Sequence, residues 1–94
     1  MIVRILGEGQ WRLDDAVRAE LSSLDDEVEA AVQADDQQRL GVALSRLHER
    51  VREIGAELPL DALADSDLIL PETDASLAEV RALLSESGEG LLPD

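Results

Sequence analysis

Leucine and valine recur at alternating spacings of four and three residues in two consecutive stretches of the chain. The first stretch is Val17, Leu21, Leu24, Val28 and Ala31, and the second is Leu40, Leu44, Leu47, Val51 and Ile54. This spacing places one apolar stripe on each of two helices and leaves the other positions polar. Only Ala34-Asp35-Asp36 lies between them, so the two helices are expected to fold back as an antiparallel hairpin. The apolar residues are therefore committed to helix contact and not to the walls of a pocket.

The flanks of the hairpin carry start and stop signals. Asp14 and Asp15 open the first helix, read as about residues 15–33, because a carboxylate accepts free backbone N–H groups and suits the positive helix end. Asp35 with Gln38 has the spacing of a capping box for the second helix, about residues 36–55, which Gly55 can terminate. The first helix is acidic and the second carries Arg39, Arg46, Arg50 and Arg52. Antiparallel packing brings these opposite charges together without dominating the pairing.

Before the hairpin, Ile2-Val-Arg-Ile-Leu6 and Gln10-Trp-Arg-Leu13 are two short extended runs joined by Gly7-Glu8-Gly9, which reads as a β-hairpin. Ile2 and Ile5 do not alternate cleanly, so the buried face stays open. The glycines supply the turn; a phosphate-cradling loop is the weaker alternative, since the P-loop lysine is missing and no helix follows directly. After the hairpin, residues 56–73 are irregular, punctuated by Pro59 and Pro71, with Leu68-Ile69-Leu70 as a short strand or extended segment. Ser76 and Glu79 cap a third helix carrying Leu77, Val80, Leu83 and Leu84, which Gly88 and Gly90 close before the Leu91-Leu92-Pro93 patch. The fold class is thus α+β, mostly α, in one domain over 1–94: β-hairpin 1–13, helical hairpin 14–55, irregular segment 56–73, helix and tail 74–94.

Composition narrows the function. The net charge is −14 and all eight basic residues are arginine, a field that repels nucleic acid and anionic lipid. Residues 55–94 hold ten acids against Arg81 alone, so this half is the more anionic. Without cysteine there is no disulfide, thiolate metal site or cysteine nucleophile. No apolar run approaches a membrane span, and the N-terminal run is too short for a secretion signal, so a cytoplasmic protein is expected.

Candidate chemistry is sparse. His48, the single histidine, lies one residue beyond Leu47 and off the stripe, and is expected at the surface; a catalytic acid/base is the functional alternative. Asp25, Asp26 and Glu29 could be imagined with His48 around a hard cation, but neither a spaced D-x-D loop nor an E-x-x-H pair is present, and solvation of an acidic helix accounts for them. Ser22, Ser23, Ser45 and Ser66 have no histidine partner at a suggestive spacing. Neither catalytic, cofactor-binding nor metal-binding residues are assigned. Trp11, the only aromatic residue, is either a core anchor or a contact residue, since tryptophan is enriched at binding hot spots.

The opening Met1-Ile-Val-Arg-Ile-Leu-Gly-Glu-Gly-Gln-Trp-Arg-Leu-Asp14 resembles the start of the PspA-associated (PspAA) domain family. So do Ser66-Asp-Leu-Ile-Leu-Pro71, Ala75-Ser-Leu-Ala-Glu-Val-Arg-Ala-Leu-Leu84 and Glu89-Gly-Leu-Leu-Pro93, in the same order over the whole chain. The resemblance implies a small bacterial or archaeal protein encoded beside a homologue of phage-shock protein A, a coiled-coil, membrane-remodelling protein of the envelope-stress response. It implies no catalytic residues. The expectation is a non-enzymatic adaptor that binds the PspA-like coiled coil and meets the inner membrane only through it, with Trp11, Leu68, Ile69 and Leu70 as contact residues. The alternatives are a self-associating module and, remotely, a metal-dependent enzyme.

Overall fold

The computed structural model describes residues 1–59 and 65–87, with side chains followed as far as Leu83. The chain is α+β and mostly helical. The first strands are β1 (Ile2–Ile5) and β2 (Gly9–Arg12), then a single 3-10 turn (Asp15–Val17). The helices α1 (Arg18–Gln33) and α2 (Gln37–Ile54) follow. Two short strands, β3 (Ala56–Glu57) and β4 (Leu68–Leu70), precede α3 (Leu77–Ser87).

The sheet order is β3-β2-β1-β4. The β1–β2 hairpin is antiparallel, with Val3 opposite Trp11 and Arg4 opposite Gln10. The turn between them needs glycine, because Gly7 and Gly9 have φ of 85° and 146°. The helical hairpin leaves the sheet after β2 and returns the chain to its starting end, so β3 pairs antiparallel with β2. Strand β4 then adds to the opposite edge, parallel to β1, with Leu68 opposite Val3 and Leu70 opposite Ile5. The sequence reading contained neither β3 nor the four-stranded sheet; the Leu68–Leu70 segment is a true strand of that sheet.

Every member of the two stripes is buried or half-buried, and Leu21, Val28, Leu40, Leu44 and Val51 are fully enclosed. They share one continuous core with Val3, Ile5, Trp11, Leu13, Leu68 and Leu70 from the inner face of the sheet, and with Val80 from α3. The open question of which face of β1 is buried is answered by the alternation: Val3 and Ile5 point inward and Arg4 outward. Outside the core, Arg46 meets Glu27 at 3.2 Å and Arg50 meets Glu20 at 2.6 Å, linking α2 to α1.

The caps differ from expectation by one residue at α2. Its N-cap is Asp36, whose carboxylate accepts from Arg39 N at 3.0 Å, while Asp35 takes a left-handed φ of 56° to make the tight reversal. Asp35 is held there by Arg81 of α3, 2.7 Å away. Gly55 ends α2 for want of space: a Cβ there would lie 2.7 Å from the Val51 carbonyl and 2.9 Å from Trp11 Cβ. Ser76 caps α3 as expected, accepting from Glu79 N at 3.1 Å. Gln37 braces the same turn, donating to the Ala75 carbonyl and accepting from Leu77 N. Gly88, Gly90 and the Leu91–Pro93 patch lie outside the described residues, as does the side chain of Leu84.

Candidate functional site

Three segments distant in sequence converge at one corner of the molecule: the β1–β2 turn, the middle of α2 and the link from β4 to α3. His48 stands at the centre. It was expected at the surface, yet it is 1% exposed. The reason is visible in the wider helical period: Leu40, Ala43, Leu44, Leu47, His48 and Val51 are all buried, the i, i+3, i+4, i+7, i+8 face of a helix that packs on more than one neighbour. A stripe counted only in fours and threes is the narrower seam of a two-helix contact. Beyond its contact with α1, helix α2 meets Glu8 of the β1–β2 turn and the Pro71 carbonyl of the β4–α3 link at His48, so its buried face extends one column further.

The imidazole is anchored at Nε2, 2.7 Å from the Pro71 carbonyl. A carbonyl can only accept, so Nε2 carries the hydrogen and Nδ1 presents a lone pair. Nδ1 faces Glu8 Oε2 at 3.8 Å. The other oxygen of Glu8 accepts from Arg52 of α2 at 2.7 Å. Burial lowers the pKa of His48 below its ordinary 6.5, the Pro71 carbonyl and Glu8 draw it back upward, and Arg52 pushes it down.

Around this centre the surface is acidic and indented. One depression of about 350 Å³ is lined by Leu6, Gly7, Glu8, Glu72, Thr73 and Asp74. A second, of about 400 Å³, shares Leu6 and Glu72 and continues along Pro71, Glu79, Ala82 and Leu83. Leu6, at the junction, is 41% exposed.

Of the expected contact residues, Trp11, Leu68 and Leu70 are in the core, and Trp11 is 6% exposed. Ile69 alone faces outward, at 45%, beside Arg4 on β1. The large hydrophobic residues exposed among the described residues are Leu6, Val42 and Ile69. The sequence reading missed Leu6 and Val42: Leu6 continues an apolar run just past the end of β1, and Val42 lies off the α2 stripe. Val42 shares a surface cleft with Arg39, Arg46 and Glu27.

The other side chains weighed for chemistry are dispersed. Asp25 is buried in α1, contrary to the reading of a wholly solvated acidic face, while Asp26 is exposed. Among the described residues, no group of three or more histidine and acidic side chains could hold a metal ion. Ser66 accepts from Gln10 Nε2 at 2.9 Å and Ser76 serves as a cap; neither is bonded to His48. The Gly7-Glu8-Gly9 turn leads into a strand and aims a carboxylate, not a cluster of amides, at its neighbour on α2.

The class of molecule is thus a small α+β module, a helical hairpin laid on a mixed sheet, with a buried histidine joining turn, helix and link. The chain belongs to the PspA-associated protein (PspAA) family, whose model matches residues 1–94, the whole chain. No curated protein and no solved structure matches it at a significant level.

Proposed function

We propose that the protein is a non-enzymatic adaptor that binds a PspA-like coiled-coil protein in the phage-shock response to membrane stress. The observation that carries this reading is membership of the PspA-associated family over all 94 residues. The physical character of the surface supports it. A rigid helical hairpin on a sheet offers preformed faces, and an anionic surface bearing isolated apolar residues suits a long helix with basic and apolar positions. No helix among the described residues is long and apolar enough to cross a membrane, so in this reading the partner provides the membrane contact.

The test is light scattering and co-purification with a PspA-like protein from the same organism. A defined complex at micromolar concentration is expected. Absence of a complex at tens of micromolar and moderate salt overturns the reading. Ile69→Thr is expected to weaken the complex with little change in the thermal midpoint, because Ile69 faces outward and threonine keeps the strand preference. Trp11→Ala acts through the core instead.

A second reading, self-association, draws on one observation. The exposed apolar patches are dressed differently, Leu6 beside Glu8 and Glu72, Val42 beside Arg39 and the Arg46–Glu27 pair, so Arg39 of one copy could meet the acidic patch of another. Sedimentation of a concentration-independent monomer removes it.

A further inference from the structure

Among the described residues, His48 Nδ1 is the one buried side-chain nitrogen or oxygen without a hydrogen-bond partner. An orphaned acceptor in the core is costly, and here it also faces a carboxylate, so a lone pair points at an anion across 3.8 Å. One added proton reverses both defects. Nδ1–H becomes a donor, Glu8 Oε2 is the acceptor already waiting, and Nε2–H keeps its bond to the Pro71 carbonyl.

We propose that His48 is a proton-operated latch. Protonation at Nδ1 closes the gap to Glu8, draws the β1–β2 turn onto α2 and reshapes the acidic depression between that turn and the β4–α3 link. The proton comes from solvent by way of Glu8, whose side chain is 42% exposed while the ring is enclosed. The charged groups acting on the ring are Glu8 from the turn and Arg52 from α2 itself. The β4–α3 link faces it with the uncharged Pro71 carbonyl, and Glu72 on that link is exposed and rests against Gly7. Arg52 does not compete for the closing contact, since it holds Oε1 and leaves Oε2 to the imidazole. The turn can follow because Gly7 and Gly9 flank Glu8 on both sides. The latch does not depend on the identity of any partner.

Nitrogen-detected NMR of the imidazole tests this directly, because the chain has a single histidine and one ring spin system. The neutral ring is expected as the Nε2–H tautomer, with Nδ1 taking its proton on the acid side of 6.5. The backbone amides of Gly7, Glu8 and Gly9 are expected to shift with the same midpoint as the ring. Glu8→Gln, an exposed turn substitution that leaves the core intact, is expected to lower the midpoint and uncouple the turn. The latch is overturned by a neutral Nδ1–H tautomer, by turn amides that titrate apart from the ring, or by a Glu8→Gln midpoint equal to the parent. Global unfolding before the imidazole titrates overturns it as well.

Discussion

The helical hairpin and the corner around His48 are held by contacts of different kinds. In the hairpin, leucine and valine on α1 and α2 interlock in the core, and the ion pairs stand outside them in solvent. Such contacts are non-directional and tolerate small shifts. At the corner, one imidazole, one carbonyl, one carboxylate and one guanidinium fix three segments, so a change in one proton or one side chain alters the geometry. The lesson is a division of labour within one small chain. Apolar burial supplies cohesion, and the polar corner supplies the place where the fold can respond.

Core truncations should show whether that division is real. Leu44→Ala in α2 is expected to cost about 2–5 kcal/mol, and Trp11→Ala in β2 about 3–5 kcal/mol, both read from urea midpoints. If the sheet were an accessory to an independently stable hairpin, Trp11→Ala would cost far less and leave helical signal after a first transition. A single shared transition in both variants is expected, because Trp11 and the stripe residues belong to the same core.

Gly55→Ala probes the joint between the helical hairpin and the sheet. The added Cβ would meet the Val51 carbonyl at 2.7 Å, Trp11 Cβ at 2.9 Å and Leu13 Cδ1 at 3.2 Å, and the two closest atoms are a backbone oxygen and a Cβ that cannot swing aside. A loss of about 1–3 kcal/mol is expected, in the range of overpacking. The usual stabilisation of glycine replaced by alanine in a helix terminus would mean that α2 can lift from the sheet without cost.

Acidification sharpens the comparison from the other side. The folded pKa of His48 lies below 6.5, so above 6.5 both native and unfolded chains hold it neutral and it imposes no pH dependence. As the pH falls through 6.5 the unfolded chain takes up a proton that the native chain refuses, and stability declines until the native pKa is reached. The urea midpoint should therefore fall in the window between 6.5 and about pH 5, where ordinary carboxylates remain ionised. Glu8→Gln should extend the decline to lower pH, since it removes a charge that favours the protonated ring. Leu44→Ala should lower the whole curve without changing its slope.

Much of the first region was legible in the sequence because helix pairing leaves a periodic record. The stripes and the three-residue reversal depend on local spacing and stand as expected, and Gly55 marks the end of α2 although the crowding that fixes it there comes partly from Trp11. The corner was not legible, and the reasons are specific. A seam counted between two helices alone puts His48 at the surface, because it leaves out the turn and the β4–α3 link that cover the adjacent column of α2. Strand β3 is two residues long and exists only because the returning helix delivers it beside β2, a tertiary effect without a local pattern. A lone tryptophan suits a core or a binding hot spot equally, and the Leu68–Leu70 run reads the same whether it faces a partner or the core. Only the pairing register, with Trp11 and Leu68 opposite Val3 and Leu70 opposite Ile5, sends these three inward and leaves Ile69 outside.

The smallest effect should come from the ion pairs that span the hairpin, and it bears on what orients α1 against α2. Glu27 and Arg46 meet at 3.2 Å with both side chains about half exposed, a setting in which solvent screens the attraction and ordering two long side chains offsets much of it. Glu27→Gln removes the pair and also one negative charge from a chain of net charge −14, so the lost attraction is opposed by relief of self-repulsion. Thermal midpoints of the variant and the parent are expected to agree within experimental scatter at low salt, and to stay together as salt rises. A loss at low salt as large as that of Gly55→Ala, vanishing at high salt, would mean that charge and not the apolar stripe sets the pairing of the two helices. The hairpin would then be as directional as the corner.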